Sequence, residues 1–349
     1  MDPLSRDVHE LGRRLRARVG HADLMLVKCL KWTARLAEIL GRALLVLLPT
    51  SPVAWILGTL SVAYCLSIEA QLNHTIMHGA FARLPNAGRY HPSRYETIAN
   101  PFRSNTWGDA HHIHHGRPSV LGEDPDTVHP LFRVHPGTPR RFWHRLNTFI
   151  GAVFVFECWA IDYDLFLKRA GKRRRGDPGE LVKLSLYVGY HFVLFPLLAG
   201  PSWGWVLLSA FVAMWIRNGI FTVLQTASSV GANVSTIHAH APKRLRGDPY
   251  VRFQVESSKN FKLDPFSEVL CGGLDRHIEH HLFPALPPNL LPAASREVRV
   301  IAARHGVRYE EHASVWRSLA DSFGWLAALA KATPPKGGPR CSHLFPDAP

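Results

Sequence analysis

No C-x-x-C pair occurs among the five cysteines, Cys29, Cys65, Cys158, Cys271 and Cys341. Their number is odd, so a disulfide framework is not expected and a reducing, cytoplasm-facing setting is. Zinc-finger spacing is missing, as is any aromatic–basic pattern of the kind that grips RNA. Nucleic acid is therefore not an expected partner. The net charge of +14 then points to an anionic membrane surface, the other common partner of a basic chain. The first residues mix acidic side chains with Arg13, Arg14, Arg16 and Arg18. They do not run straight into an apolar stretch, so no signal peptide is expected there.

What the chain does have is apolar sequence in two long zones. A mean hydropathy near zero hides an alternation between apolar runs and stretches rich in His and Arg. The first zone, 32–72, is too long for one membrane span, which takes about 20 residues. It is interrupted at Pro49–Pro52 and predicts helices over 32–49 and 53–72, the first holding Arg35, Glu38 and Arg42. The second zone, 181–226, is interrupted from Ala199 and predicts helices over 181–198 and 204–226. Arg217 and Asn218 lie in the last of these and are expected to face the bundle interior, because intramembrane charges rarely face lipid.

The two interruptions carry no charge, whereas Lys168–Arg175 is the densest of several basic runs. The positive-inside rule then places the N-terminus, residues 73–180 and the chain after 227 in the cytoplasm. The expected fold is an all-α membrane protein with four transmembrane helices in two hairpins, capped by a cytoplasmic His-rich helical domain. Residues 1–31 are expected as a basic cytoplasmic segment, 32–320 as the membrane domain and 321–349 as a disordered tail. Buried helices of a soluble protein are the competing reading. Segment 147–161 is apolar but short, and predicts an interfacial helix or a packed one. A further helix is predicted over 293–305. The run 168–175 reads as a solvated loop or as a contact with anionic lipid heads.

Three histidine clusters stand out: His74-Thr-Ile-Met-His78, His111-His-Ile-His114-His115 and His277-Ile-Glu-His280-His281. Neutral imidazole is the commonest protein metal ligand, and helical residues three and four apart share a face. His74 with His78, His111 with His114 and His115, and His277 with His280 and His281 can each converge. Eight imidazoles exceed what one tetrahedral zinc uses and suit two metal ions. His112 is out of phase and is expected to face away. Carboxylates often orient ligating histidines. Asp109, Glu123, Asp124, Asp126, Asp275 and Glu279 are placed to do so, with ordinary loop ion pairs as the alternative.

With these residues the chain resembles the integral-membrane fatty acid desaturases, most closely their acyl-lipid and front-end branch. The three clusters match that family's histidine boxes in order. The flanks are similar too: Asn73 to Gly79, His114 through Glu123-Asp-Pro-Asp126, and Cys271-Gly-Gly-Leu-Asp-Arg-His-Ile-Glu-His-His-Leu-Phe-Pro284. The resemblance covers roughly residues 40–320. Front-end members usually open the third box with Gln, where this chain has His277. A fused cytochrome b5 domain is not visible.

The resemblance implies two iron ions, O2, an acyl lipid substrate in the bilayer, and an external electron donor of the ferredoxin or cytochrome b5 kind. It also implies a further ligand near the end of the fourth span, for which His238 is favoured and Asn233, His240 or a water are alternatives. The implied activity is O2-dependent formation of a cis double bond in a fatty acyl chain. A lipid hydroxylase using the same irons, a zinc-dependent membrane hydrolase, and a metal-free lipid-binding or receptor protein are the competing functions.

Overall fold

The computed structural model describes residues 2–101, 111–121, 123–124, 133–157, 178–234, 237–238 and 245–331. Helix α1 (Pro3–Arg18) carries Leu4, Val8, Leu11 and Leu15 on one buried stripe, the three- and four-residue spacing of an amphipathic helix. The Asp248 carboxylate accepts from the backbone N–H of Leu4 and Ser5, at 3.3 and 2.6 Å. It thereby satisfies donors that a helix start leaves open.

Helix α2 (His21–Leu47) is continuous over 27 residues. It begins well before the predicted 32–49, because Gly20 and Asp23 cap it: Gly20 N–H donates to Asp23 Oδ2 at 2.8 Å. Residues 21–31 therefore belong to this helix rather than to a separate N-terminal segment. After a short turn, α3 (Pro52–Met77) starts with Ser51 Oγ accepting from Ala54 N–H. The two helices cross at glycines. A Cβ on Gly41 would lie 2.8 Å from the Gly58 carbonyl oxygen, and one on Gly58 would lie 2.7 Å from that of Gly41. Small residues let membrane helices approach this closely. Gly58→Val is expected to push α2 off α3 and to cost about 1–3 kcal/mol, measurable as a lower unfolding temperature in detergent.

A short helix α4 spans 111–116 and α5 covers Asn147–Glu157. Helix α6 (Pro178–Val188) passes through a π-helical turn at Gly189–Leu194 into α7 (Phe195–Leu198). Helix α8 (Trp203–Ser229) returns alongside α3. The remainder is α9 (Asp248–Glu256), α10 (Pro265–Cys271), α11 (His277–Leu282), α12 (Leu291–Arg304) and α13 (Val315–Lys331). Two parallel bridges tie distant loops: Val120–Leu121 with Ile237–His238, and Asn260–Phe261 with Glu311–His312. The run 168–175 lies outside the described residues.

Among the described residues, three helices are long and apolar enough to cross a membrane, Pro52–Met77, Leu181–Leu198 and Gly200–Ser229. With the family evidence below, this is an all-α membrane protein. Helix α2 is turned the opposite way from a soluble helix. Trp32, Leu36, Ile39 and Leu40 are exposed, while Lys31, Glu38 and Arg42 are buried.

The buried charges of α2 form a network beside the non-helical segment 95–99, reaching the side chains of Tyr95 and Thr97. Arg35 donates to Glu69 Oε1 at 2.8 Å and pairs with Glu38 at 2.6 Å. Arg42 pairs with Glu38 at 2.9 Å and donates to His191 Nδ1 at 2.7 Å. The carbonyls of Thr97, Ile98 and Ala99 accept, one each, from Lys183 Nζ, His191 Nε2 and Arg217 Nη2. Non-helical backbone inside a bundle requires such partners. The expectation that Arg217 faces the interior holds.

Helix α13 corrects the predicted tail, which was expected to be disordered from 321. Ser322, Leu326 and Leu329 are buried on it. Ser318 and Ser322 donate to the carbonyls of Ala227 and Val230 at 2.6 Å each. Buried Lys259 reaches Asp321 at 2.6 Å. Asn147, at the start of α5, donates to the Leu326 carbonyl at 2.9 Å. So α5 packs through one face, while Phe149 and Val153 stay exposed on the other. The predicted helix at 293–305 is α12.

Candidate metal centre

Each histidine box lies on a helix. His74 sits in the last turn of α3 and His78 caps it. His111, His114 and His115 lie on α4. His277, His280 and His281 lie on α11, whose entry is set by Gly272 and Gly273 at φ +58° and +86°. At those angles a side chain is strained. A Cβ at Gly272 would also sit 2.7 Å from the Gln71 Cβ. The tight Gly-Gly turn therefore presses the third box against α3.

The boxes do not form three separate spots. Five imidazoles, from His74, His78, His111, His115 and His280, converge in one group, and His114, His277 and His281 in a second. The second and third boxes are each divided between the two. The groups touch: the rings of His115 and His281 stack with centroids 4.5 Å apart. His112 is exposed, in line with its phase.

The geometry fits metal ions better than hydrogen bonds. His111 Nε2 lies 2.9 Å from Nε2 of each of His74, His78 and His115. A neutral ring nitrogen holds either one proton or one lone pair, so three such contacts cannot all be hydrogen bonds. His277 Nε2 and His281 Nε2 are 3.0 Å apart. His280 Nε2 is buried and has no hydrogen-bond partner among the described residues. Burial pushes the His277 imidazole down to about 3. It holds His111, His280 and His281 well below the usual histidine range. At neutral pH these rings are uncharged and present lone pairs.

Among the described residues, one carboxylate directly orients a ring of the centre. His114 Nδ1–H donates to Asp124, 3.0 and 3.1 Å from its two oxygens, which leaves Nε2 for a metal. Asp124 also accepts from Ser119 N–H at 2.6 Å. Ser119 has φ +54° to allow it, the only non-glycine residue with positive φ among those described. Asp124→Ala is expected to lower metal affinity roughly 10–100-fold, read as metal retained per chain after dialysis.

The other expected carboxylates behave differently. Glu279 faces away from the imidazoles and accepts from Asn260 Nδ2 at 2.7 Å and Tyr309 O–H at 2.8 Å. Burial raises its carboxyl to about 7. Asp275 lies beside Arg276, with 3.3 Å between Oδ2 and Nε. Glu123 pairs with Arg117. Asp109 and Asp126 lie outside the described residues.

Asn233 is not placed as a ligand: it is exposed and donates to Glu310 at 3.3 Å. His238 has its backbone paired with Leu121, close in sequence to the second box. Its side chain and His240 lie outside the described residues. Sequence reasoning missed Asn260 and Tyr309, which hold the back of α11. It also missed Gln254, which donates to the His115 carbonyl at 2.9 Å. None of the three carries a motif of its own.

The profile of the fatty acid desaturase family matches residues 50–313, which include all three boxes. The chain belongs to the fatty acid desaturase family. Similar proteins include an NADPH-dependent stearoyl-CoA 9-desaturase of Mycobacterium tuberculosis, 27% identical over 92% of this chain and 78% of that one. An sn-1 linoleoyl-lipid 6-desaturase of Synechocystis is 25% identical over 80% of this chain and 81% of that one. Human fatty acid desaturase 3 is 25% identical over 60% of this chain and 46% of its own length. This desaturase is thus an oxidoreductase that acts on fatty acyl chains, associated with the membrane and carrying histidine clusters able to hold metal.

Proposed function

We propose that this desaturase holds two iron ions between its eight box histidines and introduces a cis double bond into an acyl chain, using O2 and an external electron donor. The observation that carries this reading is the division of the eight imidazoles into two touching groups, five and three. One mononuclear site has no use for that number. Imidazole suits iron, and iron with O2 supplies an oxidant strong enough for an unactivated methylene. The stoichiometry balances when O2, two electrons and two protons accompany the loss of two substrate hydrogens, giving two waters.

The chain's own residues set the conditions. The imidazoles fix the metal positions, and Asp124 fixes the ring of His114. Burial of six of the eight box histidines, with His78 and His111 half-buried, limits access of bulk water. The further ligand belongs to the 231–240 region, with His238 as its candidate. Helix α2 is the fourth transmembrane helix, its charges turned inward and its apolar face to lipid. Both hairpins are then short on the outer side, and the termini and boxes are cytoplasmic. A small acidic donor of the ferredoxin or cytochrome b5 kind would be steered by the net positive charge.

The test is expression in a host without polyunsaturated lipids, with total fatty acids profiled by mass spectrometry. A His280→Ala, His281→Ala protein serves as control. A new species lighter by two hydrogens and absent from the control supports the reading. A species heavier by one oxygen instead would make the chain a hydroxylase.

A further inference from the structure

A cavity of about 270 Å³ lies between α2, α3, α10 and the turns on either side of α11. It is not part of the metal centre. Ile68, Gln71, Leu72 and Thr75 line it from one face of α3, and their three- and four-residue spacing defines that face. His74 and His78 mark the neighbouring face. Leu26, Val27 and Leu30 close the α2 side, and Pro265, Val269 and Pro288 the opposite one.

We propose that this cavity binds one membrane lipid through a head that donates hydrogen bonds and carries no negative charge.

The polar end specifies the head. Gln71 is 5% exposed, and its Oε1 has no hydrogen-bond partner among the described residues. Asp275 is 1% exposed, and its Oδ2 faces Arg276 Nε at 3.3 Å without forming a hydrogen bond. Both residues line the cavity. A buried acceptor without a donor costs free energy, and a hydroxyl or amine head would remove that cost. Arg276, a cation on the same wall, already faces Glu268, Asp275 and Glu311. A carboxylate head would therefore find that cation already paired and would meet Glu268 as a like charge.

The apolar end specifies a chain. Met25 and Leu26 on α2 and Phe266 and Val269 on α10 are exposed large hydrophobics. Phe266 and Val269 are three apart, on one face of their helix. Such a face lies in the membrane interface. The volume is near the lower end for small-ligand cavities, about 300–1,000 Å³. It suits a head and the first part of one chain, with the rest lying over that rim.

The experiment is native mass spectrometry of the detergent-solubilised full chain, counting retained copies of 1-monooleoylglycerol, oleylamine and oleate. One retained copy of 1-monooleoylglycerol or oleylamine is expected, and oleate about tenfold weaker. Gln71→Leu is expected to weaken retention of 1-monooleoylglycerol about tenfold. Val269→Trp, a change at an exposed position that leaves the fold intact, is expected to block the mouth and abolish it. His280→Ala protein should bind as wild type, so the result stands apart from the desaturase reading. Equal retention of oleate, or unchanged retention in both cavity variants, would overturn the proposal.

Discussion

His111→Ala is expected to abolish desaturation and to release metal, a larger effect than any other single box substitution. Its Nε2 lies within 2.9 Å of three other imidazole nitrogens, so it stands at the middle of the larger group. Changing a residue that only orients a ligand costs roughly 10–100-fold. Loss of the central ligand should exceed that. The measurement is iron per chain together with product yield, beside His112→Ala. The second variant alters an exposed ring one residue away and should keep both. Full iron and full yield in His111→Ala would refute the grouping on which the metal assignment rests.

Glu38→Ala is expected to destabilise the protein by about 3–5 kcal/mol, the loss typical when one partner of a buried pair is removed. Glu38 is 1% exposed and faces both Arg35 and Arg42. Arg35 keeps Glu69 as a second carboxylate, at 2.8 Å. Arg42 keeps the neutral acceptor His191 and the ring faces of Tyr190 and Phe195, but no other carboxylate among the contacts described. A Glu38→Leu, Arg42→Leu double variant should therefore recover most of the loss, because apolar replacement of a whole pair is often neutral. Thermal unfolding in detergent distinguishes these outcomes. A single variant as stable as wild type would mean that the network contributes little.

The histidines were legible in the sequence because helical spacing alone brings the members of one box together. Their sorting into five and three was not. It depends on the angles at which α3, α4 and α11 meet, which no local pattern encodes. Asp124 was legible as one of six carboxylates near the boxes, but its choice over Glu279 rests on the bend at Ser119. Glu279, inside the third box, turned out to bind the far side of its helix. The charges of α2 weakened its reading as a span, because the sequence does not display the partners they meet in the fold, Glu69 on α3 and His191 in the π-helical turn. Helix α13 escaped notice because the proline-rich stretch beyond it drew the tail boundary too early. Its burial depends on partners as far away in the chain as Asn147 and Ala227.

That last helix sets an order in time. Residues 133–147, 227–230 and 259 are all fastened to α13. The opposite end of the chain, α1, packs with Ile278 and Phe283 of the third-box region and with α12. A ribosome releases the first two boxes long before either closure can happen. The boxes therefore gain these two supports only once residues up to Leu329 have emerged, and a metal held between them is enclosed late in synthesis rather than as the first box appears.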